Sequence, residues 1–96
     1  LLRAEAVDAE APYRFLEGAA ALGRALHGGG RGVELLGPVP APMERREGRH
    51  RAHLMVRAAQ RPALQRFLRR WSQALGGLEG ARRVRWSLDV DPVEMT

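Results

Sequence analysis

The chain contains no cysteine, no lysine, no asparagine and no isoleucine. Without cysteine there are no disulfides, no thiolate metal sites and no cysteine nucleophile. Without lysine there is no phosphate-binding loop of the Walker type, whose lysine must reach the nucleotide phosphates. Aromatic residues make up only 5%, so leucine, valine and alanine must fill most of the core. No apolar run approaches the ~20 residues of a membrane span. The opening Leu1-Leu2-Arg3-Ala4-Glu5 has neither the basic start nor the length of a secretory signal. These absences suit a cytoplasmic protein with no membrane partner. There is no initiator methionine, and a strand-like pattern starts at the first residue, as expected of a domain cut from something longer.

What is present is arginine. All sixteen basic residues are arginine, and the formal net charge is +5. Arginine, alanine and glycine have GC-rich codons and the missing lysine, asparagine and isoleucine AT-rich ones, so coding bias accounts for part of the excess. The surplus still favours an anionic partner such as nucleic acid. Ninety-six residues, 45% of them hydrophobic, make one domain, residues 1–96.

Residues 1–7 alternate as a strand, with Leu2, Ala4 and Ala6 on one face and Arg3 and Glu5 on the other. Asp8 is placed to cap a helix with Pro12 in its first turn and Phe15, Leu16, Ala19, Leu22 and Leu26 at helical spacing. Gly18 and Gly23 either weaken that helix or let it pack closely, and Gly28-Gly29-Gly30 should end it. Val33–Leu36 reads as a second strand. Pro38, Pro40 and Pro42 lack ladder amides, so the continuation belongs on a sheet edge or in extended coil. Residues 44–48 read as a polar loop. Residues 49–58 alternate most clearly, with Ala52, Leu54, Val56 and Ala58 opposed to Arg49, Arg51, His53 and Arg57. Pro62 opens a second helix whose stripe is Leu64, Phe67, Leu68, Trp71 and Leu75, and Gly76-Gly77 stops it. A last strand is expected over 82–90, with Val84, Trp86, Leu88 and Val90 inward and Pro92 ending it.

Strand, helix, strand, strand, helix, strand is the α+β, ferredoxin-like βαββαβ order, with two helices on one face of a four-stranded antiparallel sheet. The last, first and third strands should lie side by side. Their outward face would then carry Arg3, Arg49, Arg51, Arg57, Arg83 and Arg85, tempered by Glu5 and Asp89. These six are the candidate contacts to DNA backbone. Both tryptophans, Trp71 and Trp86, have core parity, so the base-stacking aromatics of an RNA-binding sheet are absent from the outer face.

Catalysis lacks its parts. His27, His50 and His53 match no zinc spacing, and His50 and His53 point to opposite faces of one strand. Asp89 and Asp91 share a parity but sit where the strand runs out, where caps or arginine pairs are the expectation. Ser72 and Ser87 have no histidine–acid relay, and the arginine–asparagine chemistry of acylphosphatases on this fold needs an asparagine. No catalytic residue, metal site or cofactor is expected in this chain. A small enzyme would need a pocket gathering Asp89, Asp91 or the histidines.

Three segments carry a resemblance: Leu36-Gly37-Pro38-Val39-Pro40-Ala41-Pro42; Gly48-Arg49-His50-Arg51 followed by Leu54 and Arg57; and Arg83-Val84-Arg85-Trp86-Ser87-Leu88-Asp89-Val90-Asp91-Pro92 near the end. With the opening Leu1-Leu2-Arg3-Ala4, their order and spacing resemble the C-terminal domain of the PriA family, the primosomal replication proteins N′, over essentially the whole chain. The resemblance implies an accessory domain of a bacterial replication-restart helicase, acting at the replication fork in the nucleoid. Its partners would be forked or single-stranded DNA, the C-terminal tail of single-stranded DNA-binding protein, and the helicase lobes of the parent chain. The parent would be an ATP-dependent 3′-5′ DNA helicase using ATP, Mg and Zn through upstream segments. The family's tail-binding arginine and glutamine match Arg61 and Gln65, at i, i+4 on one helix face. His50 stands where the family usually has tyrosine, and Ala52 where a bulkier residue is common. The alternative reading is a free-standing ferredoxin-like nucleic-acid-binding or protein-interaction module.

Overall fold

Alternation along a five-residue strand sets the layers. The computed structural model describes residues 1–26 and 32–90, and its first strand, β1 (Leu2–Ala6), buries Leu2, Ala4 and Ala6 and turns Arg3 and Glu5 to the other side. Then follow α1 (Ala11–Leu26), β2 (Val33–Arg46), β3 (Arg49–Ala58), α2 (Arg61–Leu75), a 3-10 turn (Ala81–Arg83) and β4 (Arg85–Leu88). The sheet runs β2-β3-β1-β4, with neighbouring strands antiparallel. This is the expected βαββαβ α+β fold, with β1 at the centre and β2 on an edge.

Both helices pack on one face. Asp8 Oδ1 accepts the Glu10 amide at 3.2 Å, and the Glu10 carbonyl accepts the Arg14 amide at 3.0 Å. The acid therefore holds the turn before α1, and Glu10 supplies the first helical acceptor. The expected stop at Gly28–Gly30, together with His27, lies outside the described residues, as do Asp91 and Pro92. In α2, Leu64, Phe67, Trp71 and Leu75 are buried and Leu68 partly so.

Trp71 ties the layers together. It is 0% exposed, its indole N–H donates to the Ala19 carbonyl of α1 at 2.9 Å, and its ring lies 5.2 Å from that of Phe67. Gly23 permits this contact between α1 and α2. A Cβ there would stand 2.8 Å from Leu35 Cδ1, 3.1 Å from Phe67 Cζ and 3.3 Å from Trp71 Nε1. Trp86 is half-buried and stacks on Phe15 with centroids 5.7 Å apart. Both tryptophans thus belong to the helix-covered side. Among the described residues no buried side-chain polar atom lacks a partner.

Two expectations need correction. Residues 44–46 are strand, not loop: β2 runs to Arg46, and only Glu47-Gly48 turn. Both turn residues have positive φ, 53° and 78°, which is the two-residue hairpin geometry that matches strand twist. The prolines are accommodated because β2 is an edge and its ladder is broken twice, between Leu36 and Val39 and between Pro40 and Arg45. The last strand is also shorter than expected. Gly80, at φ 88°, leads into the 3-10 turn, and β4 covers only Arg85–Leu88. Val90 is 51% exposed rather than inward. Leu1 and Asp89 exchange backbone hydrogen bonds at 2.8 and 2.9 Å just beyond that strand.

Trp71→Ala should lower unfolding stability by about 3–5 kcal/mol, the range for removing a buried tryptophan. The midpoint of urea denaturation followed by circular dichroism measures it.

Candidate nucleic-acid interface

The face of the sheet away from the helices is uncovered, and strand register decides what it shows. Arg3 of β1 pairs with His53 of β3 and Ser87 of β4. One pleat further, Glu5 pairs with Arg51 and Arg85. Cross-strand neighbours on one face lie close enough to interact, so the second row is a carboxylate between two guanidinium groups. Arg51 Nε stands 3.8 Å and Arg85 Nη1 3.6 Å from the Glu5 carboxylate. These are ion pairs rather than hydrogen bonds. Arg51 also donates to the Met43 carbonyl at 3.3 Å. Arg3 pairs with Asp89 at 3.0 Å, the arginine partner expected for that acid.

The break in β2 makes this face concave. Four residues, 41–44, stand opposite the single Arg51 between the Pro40↔Ala52 and Arg45↔His50 pairs. Met43 of the excess chain and Arg46 line one side of the groove. The resulting groove, of about 640 Å³, is lined by Arg3, Arg46, Arg49, Arg51, His53 and Arg85 together with Glu5 and Ser87. Among the described residues, no carboxylate lies within ion-pair distance of Arg46 or Arg49.

Four of the six expected DNA contacts therefore come together: Arg3, Arg49, Arg51 and Arg85. Arg57 does not join them. It lies at the opposite end of β3, where it pairs with Glu34 at 3.1 Å. Arg83 is displaced because the chain there is a 3-10 turn, not strand. Arg46 was missed in the sequence, where it sat inside an apparent loop. The Glu47-Gly48 dipeptide between two arginine pairs was the available sign of a hairpin reaching that far. Arg61 and Gln65 occupy the first turns of α2, both exposed, on the helix layer and away from the groove. The first turn of α2 has no acidic residue, and Gln60 at the N-cap makes no side-chain cap, so the terminal amides there lack a side-chain acceptor.

His53 lies within the arginine groove, and burial together with the charges of Arg3, the chain's N-terminal amine and Arg51 pushes its pKa below the ordinary 6.5. The fold thus favours neutral imidazole. Among the described residues, no three histidine, aspartate or glutamate side chains group to hold a metal ion, and no helix is long and apolar enough to cross a membrane.

The chain is an α+β domain of ferredoxin-like order with an arginine-lined groove on its open sheet face. The chain belongs to the family described as the primosomal protein N C-terminal domain, matched over residues 1–93. It is 40% identical, over 65 residues, to the replication restart protein PriA of Haemophilus influenzae, covering 68% of this chain and 9% of that protein. The chain therefore spans about a tenth of the length of that relative. Family membership sets aside the alternative of a module unrelated to these replication proteins.

The depressed His53 pKa has a sign in stability. As pH falls below about 6.5 the unfolded chain takes up a proton before the folded one does. The contribution is full above 6.5 and lost as pH drops towards the folded value. The denaturation midpoint should fall between about pH 7.5 and pH 5, and His53→Gln should flatten that part of the profile.

Proposed function

We propose that this domain serves a replication-restart helicase as an accessory binding module for forked or single-stranded DNA and for the C-terminal tail of single-stranded DNA-binding protein. The observation that carries the DNA half is the groove, where Arg3, Arg46, Arg49, Arg51 and Arg85 converge on one open face. Guanidinium groups bind phosphate through planar, charge-assisted hydrogen bonds. They position a backbone without reading its sequence. Glu5 and Asp89 hold Arg3, Arg51 and Arg85 in place while no phosphate is present. An incoming strand would exchange these exposed or half-exposed pairs for its own phosphates at small cost, because surface ion pairs are weak.

The tail half rests on Arg61 and Gln65, one helical turn apart beside the N-terminus of α2. A carboxylate there meets a guanidinium, an amide donor and the positive end of the helix dipole. In this reading the domain contributes no catalytic group. ATP hydrolysis, unwinding, Mg and Zn belong to the rest of the parent chain, whose helicase lobes are a further partner.

Two measurements test the reading. In the full-length parent, Arg61→Ala should weaken binding of an acidic tail peptide by roughly tenfold, the scale of one charge-assisted hydrogen bond. Fluorescence anisotropy with the labelled peptide reads this, and unchanged affinity would reject the tail assignment. For DNA, replacing Arg51 and Arg85 by Gln should reduce the slope of log affinity against log salt by about 1.4 for a single strand, ~0.7 for each lost phosphate contact. An unaltered slope would remove the sheet groove from the DNA-binding surface.

A further inference from the structure

The helix layer carries a second cationic surface of a different kind. Arg61, Arg66, Arg69 and Arg70 of α2 are all exposed, and the helix contains no aspartate or glutamate. Arg66, Arg69, Arg70 and Gln73 follow at i, i+3, i+4 and i+7, opposite the buried stripe of Leu64, Phe67, Trp71 and Leu75. Among the described residues, no carboxylate lies within ion-pair distance of these guanidinium groups. On the sheet, by contrast, Arg3, Arg51, Arg57 and Arg85 each face an acid.

This arrangement runs against the helix's own electrostatics. Like charges at i, i+3 and i, i+4 repel. A cation stands in the first turn, where the helix dipole disfavours it, and none stands in the last turn, where the dipole would favour one. Holding α2 on the core needs only its apolar stripe. The uncompensated outer charge is offset only when an external anion arrives.

The face also selects the kind of anion. Among the described residues the exposed large hydrophobics are Val7, Leu36, Val39, Met43, Met55 and Val90, none of them on α2. Protein partners anchor chiefly on Trp, Tyr and Arg packed into buried pockets, and this face offers arginine without any aromatic or large apolar residue beside it. A phosphate backbone needs only cations and donors. From Arg66 to Gln73 the stripe spans about 10 Å at 1.5 Å per residue. Over that length one strand of a duplex presents about three phosphates, one per ~3.4 Å.

We infer that the outer face of α2, through Arg66, Arg69 and Arg70, is a second phosphate-backbone surface, so that the domain holds two nucleic-acid segments on opposite sides of its two layers. This rests on the reading of the domain as a DNA binder and extends it to a bridging role. Two arms of a branched substrate then lie one on each layer, separated by the protein.

The test uses the 96-residue chain with a fluorescein-labelled oligo-dT probe and an Asp-rich peptide of matched charge. The triple variant Arg66→Gln/Arg69→Gln/Arg70→Gln is compared with Arg49→Gln/Arg85→Gln on the sheet. The helix triple should flatten the salt slope for the oligonucleotide by about 2, ~0.7 per lost phosphate contact. It should also lower the number of oligonucleotides bound per domain from two to one, and leave peptide affinity unchanged. The Arg→Lys triple, which keeps the charge, should retain the slope. Should the Gln triple lose helix by circular dichroism, Arg69→Gln alone is expected to flatten the slope by about 0.7 and decides the matter. An unchanged slope in the helix variants, with a flattened one in the sheet variant, overturns the second surface and leaves the DNA reading standing. An equal loss for peptide and oligonucleotide makes the face a protein-docking surface and overturns the inference. No oligonucleotide binding by the unsubstituted 96-residue chain sinks both readings.

Discussion

The register of β1 between β3 and β4 is the constraint on which the rest depends. Leu2, Ala4 and Ala6 are opposed by Leu54, Ala52 and His50 on one neighbour, and Leu2 and Ala4 by Leu88 and Trp86 on the other. A slip of one residue would send Arg3 and Glu5 under the helices and the leucines into water. The cost of burying unpaired charge forbids that. The same register that builds the core also sets Glu5 between Arg51 and Arg85 on the open face. Core and groove are therefore two consequences of one alignment, and neither can shift without the other.

Small residues make this alignment workable with so few aromatics. Ala4, Ala6 and Ala52 occupy the sheet core where larger side chains would hold the helices off. Ala19, Ala20 and Gly23 do the same on α1. The space they leave is filled by Trp71, Phe67 and Phe15. Trp71 adds a buried hydrogen bond that joins α1 to α2. A single indole thus takes the place of several missing aromatic side chains and fixes the distance between the helices.

The arginines of the sheet and those of α2 differ in their company. On the sheet, acids placed by register neutralise Arg3, Arg51 and Arg85 in part and hold their side chains in a shared groove. Among the described residues, no acid does so on α2. Coding bias raises arginine throughout a chain, but it does not explain why acids accompany Arg3, Arg51 and Arg85 on the sheet and Arg14 of α1 while α2 itself contains none. That asymmetry is the electrostatic character that the family's chemistry has to work with.

Much of the fold was legible because its elements carry clean periods. The alternation of Arg49–Ala58 and the stripe from Leu64 to Leu75 each name one buried face, and the proline run named the sheet edge. The family was legible too, since Pro38, Pro40 and Pro42 and the segment around Trp86 are local strings. What the linear chain did not disclose came from pairing between strands. It could not show that residues 41–44 bulge opposite Arg51, that Arg46 therefore walls the groove, or that Arg57 is drawn off by Glu34. Nor could it show that a left-handed Gly80 and a 3-10 turn remove Arg83 from the sheet. A sequence determines which side of its own element a residue occupies, because that depends on backbone geometry alone. Which charges then meet depends on register and bulges between distant strands, and only the folded sheet decides those.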